Sequence, residues 1–279
     1  MATLVDRKIL VKVGGETVKA AADRERLARD IAAVVRMGAK VVVVHGAGPQ
    51  ITALAERLGV PSLFRGGRRV TDAAMLRAVA MAMCGEVATD LLAALLAAGV
   101  DALPFPAAAA GIVVGHKRPP KQVPGEAEPV DFGLVADVDS VQARHLLALW
   151  SAGLVPVLSS LVADAGGNLL NLNADTLVTA LVPALGIDEV VLVTGVPGVF
   201  RRLDDPTTHL PLLSDTDLPG LVHSGAVQGG MVAKLEEVGN ILRKGAQRVI
   251  ITGYQDEGAM TAAVTDYPTM CTIVQRSAR

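Results

Sequence analysis

Aromatic residues are nearly missing from this chain of 279 residues: four Phe, two Tyr and one Trp make up 3%. A binder of single-stranded nucleic acid needs stacking platforms, and this composition offers few. Cysteine is as scarce. Cys84 and Cys271 stand far apart without metal-ligand spacing, so they read as reduced, buried thiols of a cytoplasmic protein. An excess of either charge is missing too. Lys and Arg number 26 against 28 Asp and Glu, the formal net charge is -2, and the charges are interspersed. No basic patch points to nucleic acid or to an anionic membrane. The longest apolar stretch, "DLLAALLAAGVDALPFPAAAAGIVV", is broken by Asp101, Pro104 and Pro106, and no membrane span is read there. The N-terminal "MATLVDRK" meets charge too early for a secretory signal.

What is present is a 51% hydrophobic composition that must build its core from Val, Leu, Ile and Ala. That mix suits a parallel sheet covered by Ala/Leu-rich helices. The pattern predicts strands at Ile9–Val13, Lys40–His45, Leu154–Leu161, Glu189–Thr194 and Gln247–Thr252. Helices are expected over Asp23–Met37, Pro49–Leu58, Ala174–Leu185 and Met231–Lys244. Thr71 is the expected cap of a long helix running to Ala98, apolar around much of its circumference and suited to a core or a subunit interface. A short helix and a last strand, "CTIVQ", end the chain. The Pro- and charge-rich Lys117–Phe132 reads as a hairpin tip or mobile flap. Strands alternating with helices imply an α/β fold with a mostly parallel sheet between two helical layers.

Ligands of open α/β sheets sit beyond the carboxyl ends of the strands. Lys12-Val13-Gly14-Gly15 falls at such an end. A lysine in a buried strand needs a partner, and two following glycines let a ligand approach the backbone. Cation and open amides together suit a phosphate; the plain alternative is a lysine snorkelling to solvent. Three further segments sit at strand ends or helix starts: "HGAGPQ" (His45 to Gln50), "NLNAD" (Asn171 to Asp175) and "GAVQGGMVAK" (Gly225 to Lys234). No G-x-x-x-x-G-K-[ST] loop occurs, and "GAGPQI" fails the dinucleotide pattern.

The motifs "KVGG", "VHGAGPQ", "GGRRVTD", "DFGLVADVDSV", "NLNAD" and "GGMVAK" follow one another along nearly the whole chain. On them the chain resembles the amino acid kinase family, and within it the acetylglutamate branch. The resemblance implies a three-layer αβα sandwich in one domain, residues 1–279. An N-terminal lobe (1–165) would hold the acyl amino acid and make the dimer; a C-terminal lobe (166–279) would hold ATP. It implies phosphorylation of the side-chain carboxylate of N-acetyl-L-glutamate to an acyl phosphate, in arginine synthesis. By resemblance, Lys12 bridges the β- and γ-phosphates, Lys234 serves the leaving-group side, and Asp175 orients both lysines. An acid in a first helical turn can also simply complement the helix dipole. Gly15, Gly46 and Ala47 would face the transferring group and substrate. Gly14, Thr194, Gly195 and Gly230 would line the nucleotide. Arg69 would clamp the substrate's α-carboxylate, with Asn171 at the same end and Arg68 left as a surface charge. Mg2+ is expected on the nucleotide oxygens, with few protein ligands. His45 reads as closing its strand, not as a base.

Three positions depart from the family pattern. Ala47 stands in a glycine triplet and fits if its φ is negative. Gly195 replaces an acidic residue, and "PFPAAAAG" (Pro104–Gly111) replaces a segment that shapes the pocket's surroundings. About seven residues precede the first strand, too few for a linking helix, so a homodimer insensitive to arginine is expected. Two other readings stay open. One is a kinase for an aminoadipate derivative, acetylated or held on a carrier protein that "HKRPPK" (His116 to Lys121) would receive. The other is a non-catalytic sensor of nucleotide or amino acid.

Overall fold

The computed structural model describes residues 3–277 except 203, 226, 228, 255 and 268. Met1 and Ala2 of the N-terminal segment, and Ala226 and Gln228 of the Gly225–Lys234 segment, therefore lie outside the described residues.

Eight strands form the central sheet. From edge to edge they are Leu212–Ser214, Cys271–Gln275, Arg248–Gly253, Glu189–Thr194, Lys8–Val13, Lys40–His45, Val155–Ser159 and Ala102–Pro106. Neighbours run parallel except where Cys271–Gln275 meets Arg248–Gly253 antiparallel. The expected α/β sandwich is present. Alternation along each strand divides the core into two layers. Ile9, Val11 and Val13 pack with Leu27, Ile31, Ile51 and Met75 on one face. Leu10 packs with Leu177, Val178, Leu235 and Val238 on the other. Lys12 shares the face of Leu10. Its place at the strand's end therefore sends its side chain between helices Ala174–Leu185 and Gly230–Arg243.

Several expectations need correction. The strand read as Leu154–Leu161 is two: Val155–Ser159 in the central sheet, and Leu161–Ala163 in a separate four-stranded sheet with Leu169–Asn171, Val113–Lys117 and Ala136–Val141. Pro104 and Pro106 hid the strand Ala102–Pro106. Proline is tolerated there because the strand lies at the sheet's edge and pairs on one side only. Asp72, not Thr71, caps the long helix, its side chain accepting from the Met75 N–H at 2.8 Å. That helix, Ala73–Ala97, is the one helix among the described residues long and apolar enough to cross a membrane. It passes through a π-helical stretch, Met81–Val87, and buries Met75, Val79, Met83, Leu91 and Leu95 in the core.

Lys117–Phe132 is the tip of the antiparallel pair Val113–Lys117 and Ala136–Val141, as the hairpin reading expected. Its root is packed. Val123, Phe132 and Val135 form a small apolar cluster, and the buried Arg118 donates to Asp137 Oδ1 and the Ala136 carbonyl.

Candidate active site

The first strand ends at Val13, and Gly15 packs against the start of helix Gly48–Arg57. A Cβ on Gly15 would lie 2.8 Å from Pro49 Cδ and from Gln50 Oε1, so no other residue fits without displacement. Gln50 clasps the two loops by donating from Nε2 to the Gly15 carbonyl at 2.9 Å. The helix start has no side-chain cap. Among the described residues the amides of Gly15, Ala47 and Gly48 find no protein acceptor. This leaves an anion-receptive cluster of N–H groups beside Lys12. The Gly46 amide is not one of them: it donates to the Val13 carbonyl at 3.0 Å, although Gly46 lines the cavity. Ala47 has φ -150°, which carries its methyl without strain.

Lys12 is mostly buried, and its Nζ lies 2.6 Å from Asp175 Oδ1. Asn173 caps helix Ala174–Leu185, accepting from the Asp175 N–H at 2.7 Å, which sets Asp175 at the helix start facing the first strand. Glu237 Oε1 lies 3.9 Å from the same ammonium. Burial pushes the Lys12 ammonium down, but Asp175 and Glu237 outweigh it and the net direction is up. Lys234 goes the other way. Burial and the Lys12 charge hold it below the usual lysine range, against the opposing pull of Glu237 and Asp175. Glu237 is pushed up to about 7 by burial first and the Asp175 charge second. His45 is fully buried, its imidazole pushed down to about 4 by burial, with Nδ1 3.3 Å from the Gly46 carbonyl. It is neutral at pH 7 and closes its strand.

Of the cavities that border this cluster, two bear most of the expected site residues. One, about 300 Å3, is lined by Lys12, Gly46, Ala47, Arg69, Asn171 and Asp175, among others. Arg69 rises from the hairpin of Phe64–Arg65 and Arg68–Arg69. It stacks over Phe64 with its guanidinium carbon 4.6 Å from the ring centroid. It donates to the Gly48 carbonyl, Thr52 Oγ1 and Ser62 Oγ. None of the ion pairs among the described residues uses Arg69, so its charge is available to an anion. Asn171 donates to Thr71 Oγ1 at 3.1 Å, and the buried Thr71 thus serves the site from a distance. The second cavity, about 710 Å3, is lined by Val196, Phe200, Arg201, Arg202, Gly230 and Lys234, among others. Thr194 does not line it. Its hydroxyl donates to the Val196 carbonyl at 2.7 Å and so shapes the turn that carries Val196 to the wall. Gly195 is exposed beside Tyr254, with room for a side chain.

Sequence reasoning missed part of this site. Glu237 stands three residues after Lys234, and that spacing on one helix was the available signal. Arg68 is exposed, as expected of a surface charge, and it also borders the 300 Å3 cavity beside Arg69, which Arg118 and Met83 line as well. Met83 reaches it from the π-helical stretch. Pro104–Gly111, expected to shape the pocket's surroundings, does not line either cavity. It forms the edge strand and a turn whose amides at Ala107 and Ala108 donate to Ser159 and Leu161.

A cation at a parallel strand's end, uncapped helix amides beside it and a buried lysine-carboxylate cluster between two cavities make a phosphoryl-transfer architecture. The family model described as the amino acid kinase family matches residues 7–253. The chain belongs to the amino acid kinase family. It is 39% identical over 270 residues to an acetylglutamate kinase of Anaeromyxobacter dehalogenans, covering 96% of this chain and 100% of that one. It is also 39% identical to an acetylglutamate kinase of Sorangium cellulosum, over 95% and 94% of the two chains. Among solved structures, Giardia lamblia carbamate kinase bound to AMP-PNP superposes with a TM-score of 0.70 at 14% identity, over 98% and 99% of the chains. Neisseria gonorrhoeae N-acetylglutamate synthase does so at 0.83 and 20% identity, over 99% of this chain and 61% of that longer one. These two likenesses speak for the amino acid kinase fold.

Proposed function

We propose that this chain transfers the γ-phosphoryl group of ATP to the side-chain carboxylate of N-acetyl-L-glutamate, forming an acyl phosphate in arginine synthesis. The names of its relatives support the substrate. The observation that carries the chemistry is Lys12, held at 2.6 Å by Asp175 between a cavity with an unpaired arginine and a cavity with a lysine.

The acid would occupy the 300 Å3 cavity, its α-carboxylate on Arg69 and its neighbouring polar groups near Asn171. The nucleotide would occupy the 710 Å3 cavity, with its phosphates reaching from Gly230 and Lys234 toward Lys12. The nucleophile is a carboxylate, already ionised at pH 7, so no general base is needed. Catalysis then rests on bringing two anions together and stabilising the transferring group. Lys12 and the free amides of Gly15, Ala47 and Gly48 face that group, and Asp175 holds Lys12 in place. Lys234 neutralises charge on the leaving phosphates.

Among the described residues no group of three or more His, Cys, Asp or Glu side chains gathers to hold a metal. In the proposed reaction Mg2+ would come with the nucleotide and neutralise phosphate charge. In this reading residues 1–165 supply most of the acid site and residues 166–279 the nucleotide site, with Asn171–Asp175 crossing between them. A cytoplasmic homodimer remains our expectation, and the long helix leaves Met81 and Leu96 exposed as candidate contacts.

A carrier-linked aminoadipate substrate is less well supported. Three of the four basic residues in the stretch that would receive an acidic carrier are already paired: His116 meets Asp139, Lys117 meets Asp131 and Arg118 meets Asp137. The deciding experiment traps the acyl phosphate as a hydroxamate, with acetylglutamate and acetylaminoadipate run side by side. Preference for acetylglutamate is expected. Preference for the longer acid would move the enzyme to lysine synthesis, and activity with neither would leave a carrier-linked substrate or a non-catalytic binder.

A further inference from the structure

Four ionisable side chains meet at the phosphate end of the site. Lys12 comes from the first strand and Asp175 from helix Ala174–Leu185. Lys234 and Glu237 come from one face of helix Gly230–Arg243. Asp175 takes the short contact with Lys12 at 2.6 Å and leaves Glu237 at 3.9 Å, beyond hydrogen-bond range. Among the described residues Glu237 Oε1 is buried without a hydrogen-bond partner. Its carboxyl also faces the carboxylate of Asp175. Arg68, Asp137, Glu236 and Lys244 line the groove on its outer side. A carboxylate placed this way is only partly compensated, and burial penalises its charged form.

We propose that Glu237 is a positioning residue that couples nucleotide binding to the uptake of a proton. The inference rests on the ATP-binding reading above. A polyphosphate arriving at Lys12 and Lys234 brings negative charge against Glu237 and draws the two ammoniums toward itself. Both effects disfavour the Glu237 carboxylate. A proton from solvent on Glu237 removes the like-charge contact and leaves both lysines to the phosphates. The ordinary alternative is a structural acid that merely holds Lys12, and such an acid stays ionised when nucleotide binds. Burial, which already carries Glu237 up to about 7 in the free protein, agrees with the first role.

The test is calorimetric titration of the protein with magnesium AMP-PNP at pH 7.5, in two buffers of different ionisation enthalpy, for the wild type and Glu237→Gln. The ligand's own protonation is common to both proteins, so their difference isolates Glu237. The wild type is expected to take up more protons than Glu237→Gln, by up to about one. Its nucleotide affinity should weaken with rising pH above 7 by up to about tenfold per unit more steeply than the variant's. A melting temperature in Glu237→Gln at or above the wild type's shows that the variant is folded. Equal proton uptake in the two proteins, or equal pH slopes, would overturn the inference. A wild type that binds no nucleotide at all would overturn the kinase reading instead.

Discussion

The two ends of the central sheet both bury charge, and they do so to opposite purpose. At the amino ends of the strands, Glu189 is buried between two guanidiniums, Arg7 Nη1 and Arg248 Nε, each at 2.8 Å. Arg248 extends to Asp266 at 2.7 Å. Burial pushes the Glu189 carboxyl up, and the two arginines only partly offset it. At the carboxyl ends, among the described residues, Lys12, Asp175, Lys234 and Glu237 share one short ion pair between four charges, and three backbone amides stay open. The first cluster gives its buried acid two guanidiniums at 2.8 Å and ties four segments of chain together. The second is left incomplete, and an incomplete cluster of buried charge is what a charged ligand completes.

Substitutions can break this contrast. The largest effect is expected from Lys12→Ala, which removes the cation we propose faces the transferring group. Turnover of the folded protein should fall about 10^3-fold, roughly 4 kcal/mol of transition-state stabilisation; unchanged turnover in a steady-state assay would refute the catalytic assignment. Glu189→Ala should do the reverse. It takes from Arg7 and Arg248 their shared buried partner and leaves Arg248 only Asp266 and the Val264 carbonyl, and we expect a loss of up to about 3 kcal/mol in denaturant unfolding, with kcat retained in the folded fraction.

Arg69→Ala comes next. It should raise KM for the acyl amino acid about 10- to 100-fold, as loss of a charge-assisted contact does, and leave KM for ATP alone. A selective rise for ATP would put Arg69 on the wrong cavity. Glu237→Gln sharpens the comparison through its sign. A carboxyl raised from 4.5 to about 7 binds more protons in the folded state between those values. Its contribution to stability therefore falls as pH rises through that window. The glutamine variant should melt higher than the wild type at pH 8, and this advantage should vanish toward pH 4.5; Glu189→Ala should melt lower at pH 8. The smallest effect is expected from Ala47→Gly. With φ at -150° the methyl is unstrained, so turnover should change by less than about threefold. A larger gain would mean that the methyl narrows the phosphoryl site.

Much of the site was legible because it is local in sequence. Glycines beside a lysine at a strand end, and an Asn-Leu-Asn-Ala-Asp run at a helix start, announce their geometry within a few residues. The strands Lys40–His45 and Glu189–Thr194 and the helix Ala174–Leu185 have the bounds that their patterns predict. What escaped was set by contacts between distant segments. Pro104 and Pro106 read as breakers until an edge position is known. Ser160 looks like strand until the chain is seen changing sheets there. Arg68 and Arg69 are adjacent and alike, and only the packing of their hairpin brings both to the cavity.

The sequence by itself determined the α/β architecture, the two-layered core and the residues available for phosphate chemistry, because hydrophobic period, glycine and helix caps act over a few residues. Only the tertiary structure decided which charges meet. It brought Glu237 to Lys12, used the Gly46 amide on Val13 while leaving those of Gly15, Ala47 and Gly48 open, and paired three residues of the basic stretch with aspartates. The physical reason is range. Electrostatic balance and burial depend on distances across the fold, and no spacing along the chain specifies them.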